Sequence, residues 1–560
     1  MRSFDVNNDL PLPGRGARGR SCSQHDLNSA GRCLPRAGCV DLVPAKRVPS
    51  RSWERGEEPI QPEGFLPLSQ PSLGSPTAST RQAPVSLSPS KGRGRVFRLF
   101  PLAASALALA ACAVGPNYVA PITPPTAAGQ FVSANSPALS NDPAASNWWR
   151  LYQDPVLDGL IADALKSNTD IRVAVANLER ARASLRGARS DRLPSTGLNA
   201  GATYGRLPAG QRAPGSPRED WSIDTGLSVS YEVDLFGRVK RGIEAARGDE
   251  AAAAADADAV RLAVVADTTR AYADAASGAA RLKVANQIVD LLDKSLLLTQ
   301  RRHEAGLATQ LDVSRIATLR QQRAADIPAL EADRQAALFR LATLTGRPPA
   351  DLPSAAGERA VGLEITQPIP VGDGTALLKR RPDVLAADRR LAADTARIGV
   401  ATADLYPRIS LGGSIGSTGP NIGDVFGGGP LRWLVGPLIN WAFPNQEGTR
   451  AKIAAAKADT QASLATFDGT VLRALEETET ALNSYARALD RRTALKAARD
   501  EAARAAAITR AQQREGAVDS LAWLDAERTY AETEAALAEQ DARIADAQID
   551  VFRALAGGWS

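Results

Sequence analysis

The chain has 560 residues, 44% hydrophobic and 23% charged, with a formal net charge of +5. Much of the basic excess sits in the first hundred residues, so the charge does not argue for a nucleic-acid partner. Two histidines, His25 and His303, speak against a histidine-built metal centre or triad, and no apolar run is long enough for a membrane-spanning helix.

Residues 1–90 are rich in Arg, Pro, Gly and Ser without an apolar period, and are expected to be disordered or a mis-annotated extension. No methionine follows Met1, so a later start would use a non-Met codon, with Val96 a candidate. Residues 91–111 read as a signal peptide: Lys91, Arg93, Arg95 and Arg98 precede an apolar run from Leu99 to Ala111. That run ends in Leu109-Ala-Ala-Cys112, which resembles the lipobox of bacterial lipoproteins and makes Cys112 the expected lipidation site. Several acyl chains would anchor the chain stably, where one would not. The other three cysteines, Cys22, Cys33 and Cys39, all precede it, so cleavage there leaves no disulfide possible. Ala113 rather than Asp follows, which in lipoproteins favours the outer membrane.

Residues 112–153 form a lipidated, Pro-rich leader. Helical period begins at Asp154-Pro155, with Leu157, Leu160, Ile161, Leu165, Ile171, Val175 and Leu178 on one face. Asn168-Thr169-Asp170 offers a cap for a helix running to about Arg192. A strand with Leu198, Ala200, Ala202 and Tyr204 on one face follows, then a Pro/Gly-rich loop. From Trp221 to Leu235 apolar and polar residues alternate strictly, which gives a strand one apolar and one polar face. Few strands of soluble domains are so long, whereas a tilted membrane strand needs the length. From Arg238 to about His303 an Ala-rich sequence runs without proline, a helix of roughly 100 Å that needs coiled-coil partners.

The chain then repeats itself. A shift of 213 residues lays Leu165 on Leu378, Asp170 on Asp383, Pro194 on Pro407 and Leu198 on Leu411. Further on, a shift of 210 lays Gly306–Leu311 on Gly516–Leu521. The repeats span 154–345 and 375–560, joined by a linker at 346–374. In the second, Ile409, Leu411 and Ile415 alternate with Ser410 and Ser414, and Trp433, Val435, Ile439, Trp441 and Phe443 mark the partner strand. Aromatic residues near strand ends suit a membrane interface. The second long helix is expected from Glu447 to about Glu515. Each unit thus reads helix, strand, strand, long helix, helix. Four strands close no useful barrel, so copies must associate to remove the edges.

Five stretches in order carry a family resemblance: Cys112-Ala-Val-Gly-Pro-Asn-Tyr118, Tyr231-Glu-Val-Asp-Leu-Phe-Gly-Arg238, Leu378-Lys-Arg-Arg-Pro-Asp-Val-Leu-Ala-Ala387, Leu405-Tyr-Pro-Arg-Ile-Ser-Leu411 and Ala474-Leu-Glu-Glu-Thr-Glu-Thr-Ala-Leu482. Together they resemble the outer-membrane factors of tripartite efflux pumps, the NodT/OprM-like branch of the TolC (OEP) family. The resemblance covers about Cys112 to Trp559. It implies a mainly α fold with a membrane β-barrel portion: a homotrimer with a twelve-stranded barrel continued by a twelve-helix periplasmic tunnel. An equatorial domain would include Asp154 to Gly159 and the linker. Pro444-Asn-Gln-Glu-Gly448 departs from the Asp-Gly-Gly-Arg-type turn of many relatives and leaves the exit from the fourth strand open.

The family implies a passive exit duct in the outer membrane, lipid-anchored and served by a periplasmic adaptor and an inner-membrane RND pump, without a cofactor. The breaks at Gly306-Leu307 and Gly516-Ala517 permit left-handed turns that reverse the helices. By resemblance these are the tips that meet the adaptor. Leu521 and Asp525, four apart on one helix face, match residues that line the periplasmic constriction of relatives. Three copies of Asp525 near an axis would repel one another and favour passing cations. Asp312 is expected at the related position of the first repeat. Asp224, Glu232 and Asp234 would face the barrel lumen. The competing reading is a periplasmic adaptor lipoprotein, against which stand the paired strand sets. An envelope hydrolase lacks a base for any nucleophile, since His303 sits beside a helix tip.

Overall fold

The computed structural model describes residues 113–122, 125–206, 208–212, 214–425 and 431–556. Cys112, the signal-like segment and the residues before them lie outside the described residues.

Helix α1 (Pro155–Ser167) starts where the Asp154 carboxylate accepts from the Val156 and Leu157 amides at 2.8 and 3.2 Å, with Pro155 in the first turn. Asn168 ends it and caps α2 (Thr169–Ser190) in the same way. The cap expected at Asn168 is therefore present, and it divides the helical period into two helices because its side chain binds the next amides instead of continuing the turn.

The first repeat continues through β2 (Ser195–Arg206) and β3 (Glu219–Val233) into α3 (Arg238–Glu304) and α4 (Gln310–Leu344). The second runs α5 (Pro382–Ala403), β5 (Arg408–Gly419), β6 (Leu431–Asn440), α6 (Glu447–Arg514) and α7 (Ser520–Ala554). The long helices α3 and α6 hold 67 and 68 residues, each on the order of 100 Å. Their Ala-rich faces pack closely: α3 lies against α2, α4, α5 and α7, and α6 against α5 and α7. Where α3 crosses α5, a Cβ on Gly248 would sit 2.9 Å from the Arg389 carbonyl and the Ala393 side chain, so glycine is what permits the approach.

The four long strands form one antiparallel sheet in the order β2-β3-β5-β6, with Leu227 opposite both Leu198 and Ile415. The two repeats thus meet at β3 and β5, and β2 and β6 are the sheet's two edges. Trp433, Val435 and Ile439 of β6 are 72, 75 and 69% exposed. Strand β3 keeps the expected length of fifteen residues but starts and stops two residues earlier. It stops at Val233 because Asp234 turns the chain: its carboxylate accepts from the amides of Val239 and Lys240 at 3.1 and 2.7 Å. Asp234 therefore caps α3 and lies one residue beyond the strand. The exit from β6 is held by the Leu405 carbonyl, which accepts from Trp441 Nε1 and Gln446 Nε2, both at 3.0 Å.

The main core lies where the middles of α3 and α6 meet the ends of α4 and α7. Trp148 is fully buried there, stacked on Phe552 with ring centroids 4.8 Å apart. Leu157, Ile161, Tyr272, Leu341 and Ile369 join it. A two-residue parallel ladder pairs β1 (Leu139–Ser140) with β4 (Ile369–Pro370), tying the leader to the linker. The leader is thus part of the core, not a tether: Trp148, Trp149 and Tyr152 drive its docking.

Candidate gate, helix tips and polar strand face

The polar face of the sheet gathers around Asp224. Its carboxylate accepts from Thr418 Oγ1 at 2.7 Å and Asn199 Nδ2 at 3.1 Å, and pairs with Arg432, so four strands are cross-linked by one side chain. Glu232 lies lower on the same strand and takes a bidentate contact from Arg238 at 2.7 and 2.5 Å.

At the far end of α3, Gly306 adopts φ +75°, and the Gly306 and Leu307 amides reach back to the His303 and Arg302 carbonyls at 2.9 and 2.7 Å. Gly516, also at φ +75°, and Ala517 repeat this against Gln513 and Gln512 at 3.2 and 2.8 Å. Both tips are thus helix ends closed by a left-handed glycine, a conformation that costs a side-chain-bearing residue about 1 kcal/mol or more. Leu307 stands 70% exposed at the first tip. His303 Nδ1 lies 2.9 Å from the Ala308 carbonyl, an arrangement internal to the turn.

Helix α4 opens with a reciprocal cap: Thr309 Oγ1 accepts from the Asp312 amide at 3.2 Å, and Asp312 Oδ2 accepts from the Thr309 amide at 3.0 Å. The Thr309 contacts hold the Asp312 carboxyl below the usual carboxylate range. Asp312 is therefore a helix cap. The 210-residue offset, moreover, lays Asp525 on Arg315, not on Asp312, which corrects the expected correspondence. Leu311, Arg315, Leu521, Asp525 and Arg528 line one groove between α4 and α7. Leu521 is 52% exposed, and Asp525 pairs with Arg528 at 2.7 Å across one helical turn.

Two charged clusters were not singled out by sequence reasoning. One, on α6 and α7 just above the second tip, unites Arg510, Glu527 and Trp523. Its signal, a Trp and a Glu four apart, is too common to stand out. The other places Asp546 beside Asp550 on α7, against Asp274 and Arg270 of α3. Burial, then the like charges of Asp274 and Asp550, push the Asp546 carboxyl up to about 6, with Arg270 opposing. A carboxyl with a folded value above its unfolded one penalises the fold once ionised. That penalty is full above about pH 6 and fades as pH falls toward 4. Asp546→Asn should therefore raise the melting temperature clearly at pH 8 and much less near pH 4.5. Equal gains at both pH values would refute this.

Sheet, paired long helices and glycine-closed tips have close counterparts among known proteins. The family model described as outer membrane efflux protein matches residues 160–347 and 375–557. The chain belongs to the outer membrane efflux protein family. It is 33% identical over 460 residues to outer membrane protein OprJ of Pseudomonas aeruginosa, covering 81% of this chain and 94% of that one. Nodulation protein T of Rhizobium leguminosarum bv. trifolii is 31% identical, over 77% of this chain and 91% of the relative. The structure of the outer-membrane channel OprN superposes with a TM-score of 0.75 at 35% identity, covering 80% of this chain and all of that one. As a member of this family the chain is an outer-membrane efflux channel that extends into the periplasm, and the adaptor reading falls.

Proposed function

We propose that three copies of this chain form a lipid-anchored exit duct, fed by a periplasmic adaptor and an inner-membrane RND pump. The observation that carries it is the four-stranded sheet with two edges and exposed apolar side chains, continuous with paired helices of 67 and 68 residues. A sheet in lipid needs every edge paired, and a cyclic trimer joins β2 of one copy to β6 of the next. Twelve strands then close a barrel, and the four periplasmic helices of each copy form a twelve-helix tunnel. The repeats at 154–345 and 375–560 supply its two halves, and the linker at 346–374, with the leader, forms the equatorial belt. Support for the tripartite setting comes from relatives such as the antibiotic efflux pump outer membrane protein ArpC of Pseudomonas putida, 31% identical.

In this duct Asp224 and Glu232 lie on the lumen side. Gly306, Leu307, Gly516 and Ala517 meet the adaptor, and Cys112 carries the acyl chains in the outer-membrane lipid. Leu521 and Asp525 form the periplasmic gate. The duct makes and breaks no bond and needs no cofactor; it works by holding a path open or shut. Native mass spectrometry of the protein extracted from outer membranes tests the assembly. The expected mass is three chains, each beginning at acylated Cys112. A folded monomer, or a chain without acyl mass, would count against it.

A further inference from the structure

Glu527 is 1% exposed, yet its two carboxylate oxygens are treated unequally. Oε1 accepts from Arg510 Nε and Nη2 at 2.9 and 2.5 Å and from Trp523 Nε1 at 3.1 Å. Oε2 has no hydrogen-bond partner among the described residues. Trp523 is itself 2% exposed. A buried carboxylate with one idle oxygen is a poor device for stability, because desolvating the pair cancels most of its attraction. Such groups are better suited to fixing one arrangement of two elements against alternatives.

The location says which arrangement. On α7, Trp523 and Glu527 are four apart and face α6, whereas Leu521, Asp525 and Arg528 recur at helical spacing on the side that lines the groove with α4. Asp525 and Glu527, two residues apart, point to opposite sides of the helix, so holding one face fixes the other. The first hairpin lacks this cluster at the equivalent positions. The 210-residue offset puts Gln300, Val313 and Ala317 where the second has Arg510, Trp523 and Glu527, and the fully buried side chain there is Ile316. The first hairpin is braced instead by Arg320 of α4 on Asp293 of α3 at 2.9 and 3.2 Å, a partly exposed pair; among the described residues the buried carboxylate brace beside the tip belongs to the hairpin that carries Leu521 and Asp525. One further contact ties its end: Arg302 Nη1 of α3 donates to the Gln513 carbonyl of α6 at 2.9 Å.

We propose that the Arg510–Glu527–Trp523 cluster locks α7 against α6 in the rotation that keeps the gate residues at the constriction, making Glu527 a positioning residue for the gate. This rests on the gate reading of Leu521 and Asp525. Opening by any turn or splaying of α7 relative to α6 must first break the pair, and losing the pair must favour the open arrangement.

The test is ion conductance of the full-length protein in planar bilayers, with Asp525→Ala as reference. Glu527→Ala and Arg510→Met should each raise the closed-state current on the order of tenfold. Their double variant should be no leakier than the leakier single, since both remove one interaction. Glu527→Gln, which still accepts from Trp523 and Arg510, should fall between and covers the case in which the alanine variant does not assemble. Ile316→Ala, a packing loss in the first hairpin, should leave the current at wild type, which separates positioning from general loosening. If Asp525→Ala leaks while Glu527→Ala and Arg510→Met do not, the brace is refuted and the gate stands. Additive leaks would refute the pairing, and a leak from Ile316→Ala would refute the positioning role. If Asp525→Ala does not leak either, the gate reading falls and takes the brace with it.

Discussion

Trp148→Ala is expected to cost about 3–5 kcal/mol of stability. The indole is wholly buried, stacked on Phe552 at 4.8 Å and edge-on to Trp149 and Tyr152 at 6.3 and 6.4 Å. Removing it leaves a cavity between the leader, α1 and the end of α7, where Ile549, Val551 and Leu555 are already tightly enclosed. It also loosens the end of the leader next to α1, while Arg241 on Val114, Gly115 and Asn117 and Glu479 on the Val132 and Ser133 amides still hold its earlier part. Trp148→Phe should lose far less, because the ring stack survives and the indole Nε1 has no hydrogen-bond partner among the described residues to give up. Thermal melting in detergent, with limited proteolysis of the leader, checks both. An alanine variant that melts with wild type and keeps a protected leader would show that this cluster does not hold the equatorial belt.

The periodicity of the sequence carried the long elements because their physics is local. Alternation alone located β3, and an uninterrupted Ala-rich run located α3 and α6 to within about a residue of their ends. Glycine in a short break marked both helix reversals, since few other residues adopt a positive φ at low cost. What the sequence hid was decided by tertiary contact. A Pro-rich leader gives no period, so nothing local revealed that Trp148 meets Phe552 some four hundred residues away. The capping contacts of Asp234 and Asp312 were hidden too, because strand alternation and charge say nothing about which backbone amides lie within reach. Glu527 went unnoticed because its partner, Arg510, lies on the other helix of the hairpin, seventeen residues away through the turn.

The second large effect expected is on the pore itself. In the single chain Asp525 is an exposed carboxylate paired, among the described residues, with its own neighbour Arg528, a contact worth under about 1 kcal/mol on a surface. Brought to a common axis by three-fold symmetry, three such carboxylates would give the constriction a strong preference for cations and oppose anions. Leu521 one turn before would narrow the bore. Removing the carboxylate should therefore widen and neutralise the ring at once, with little effect on folding because the side chain is exposed.

The measurement that tests the account most directly is conductance of the purified protein in a planar bilayer, wild type beside Asp525→Ala. The account predicts small, cation-selective currents from wild type and larger, less selective ones from the variant. No current from either protein, with insertion verified, would contradict the account of this chain as an outer-membrane duct.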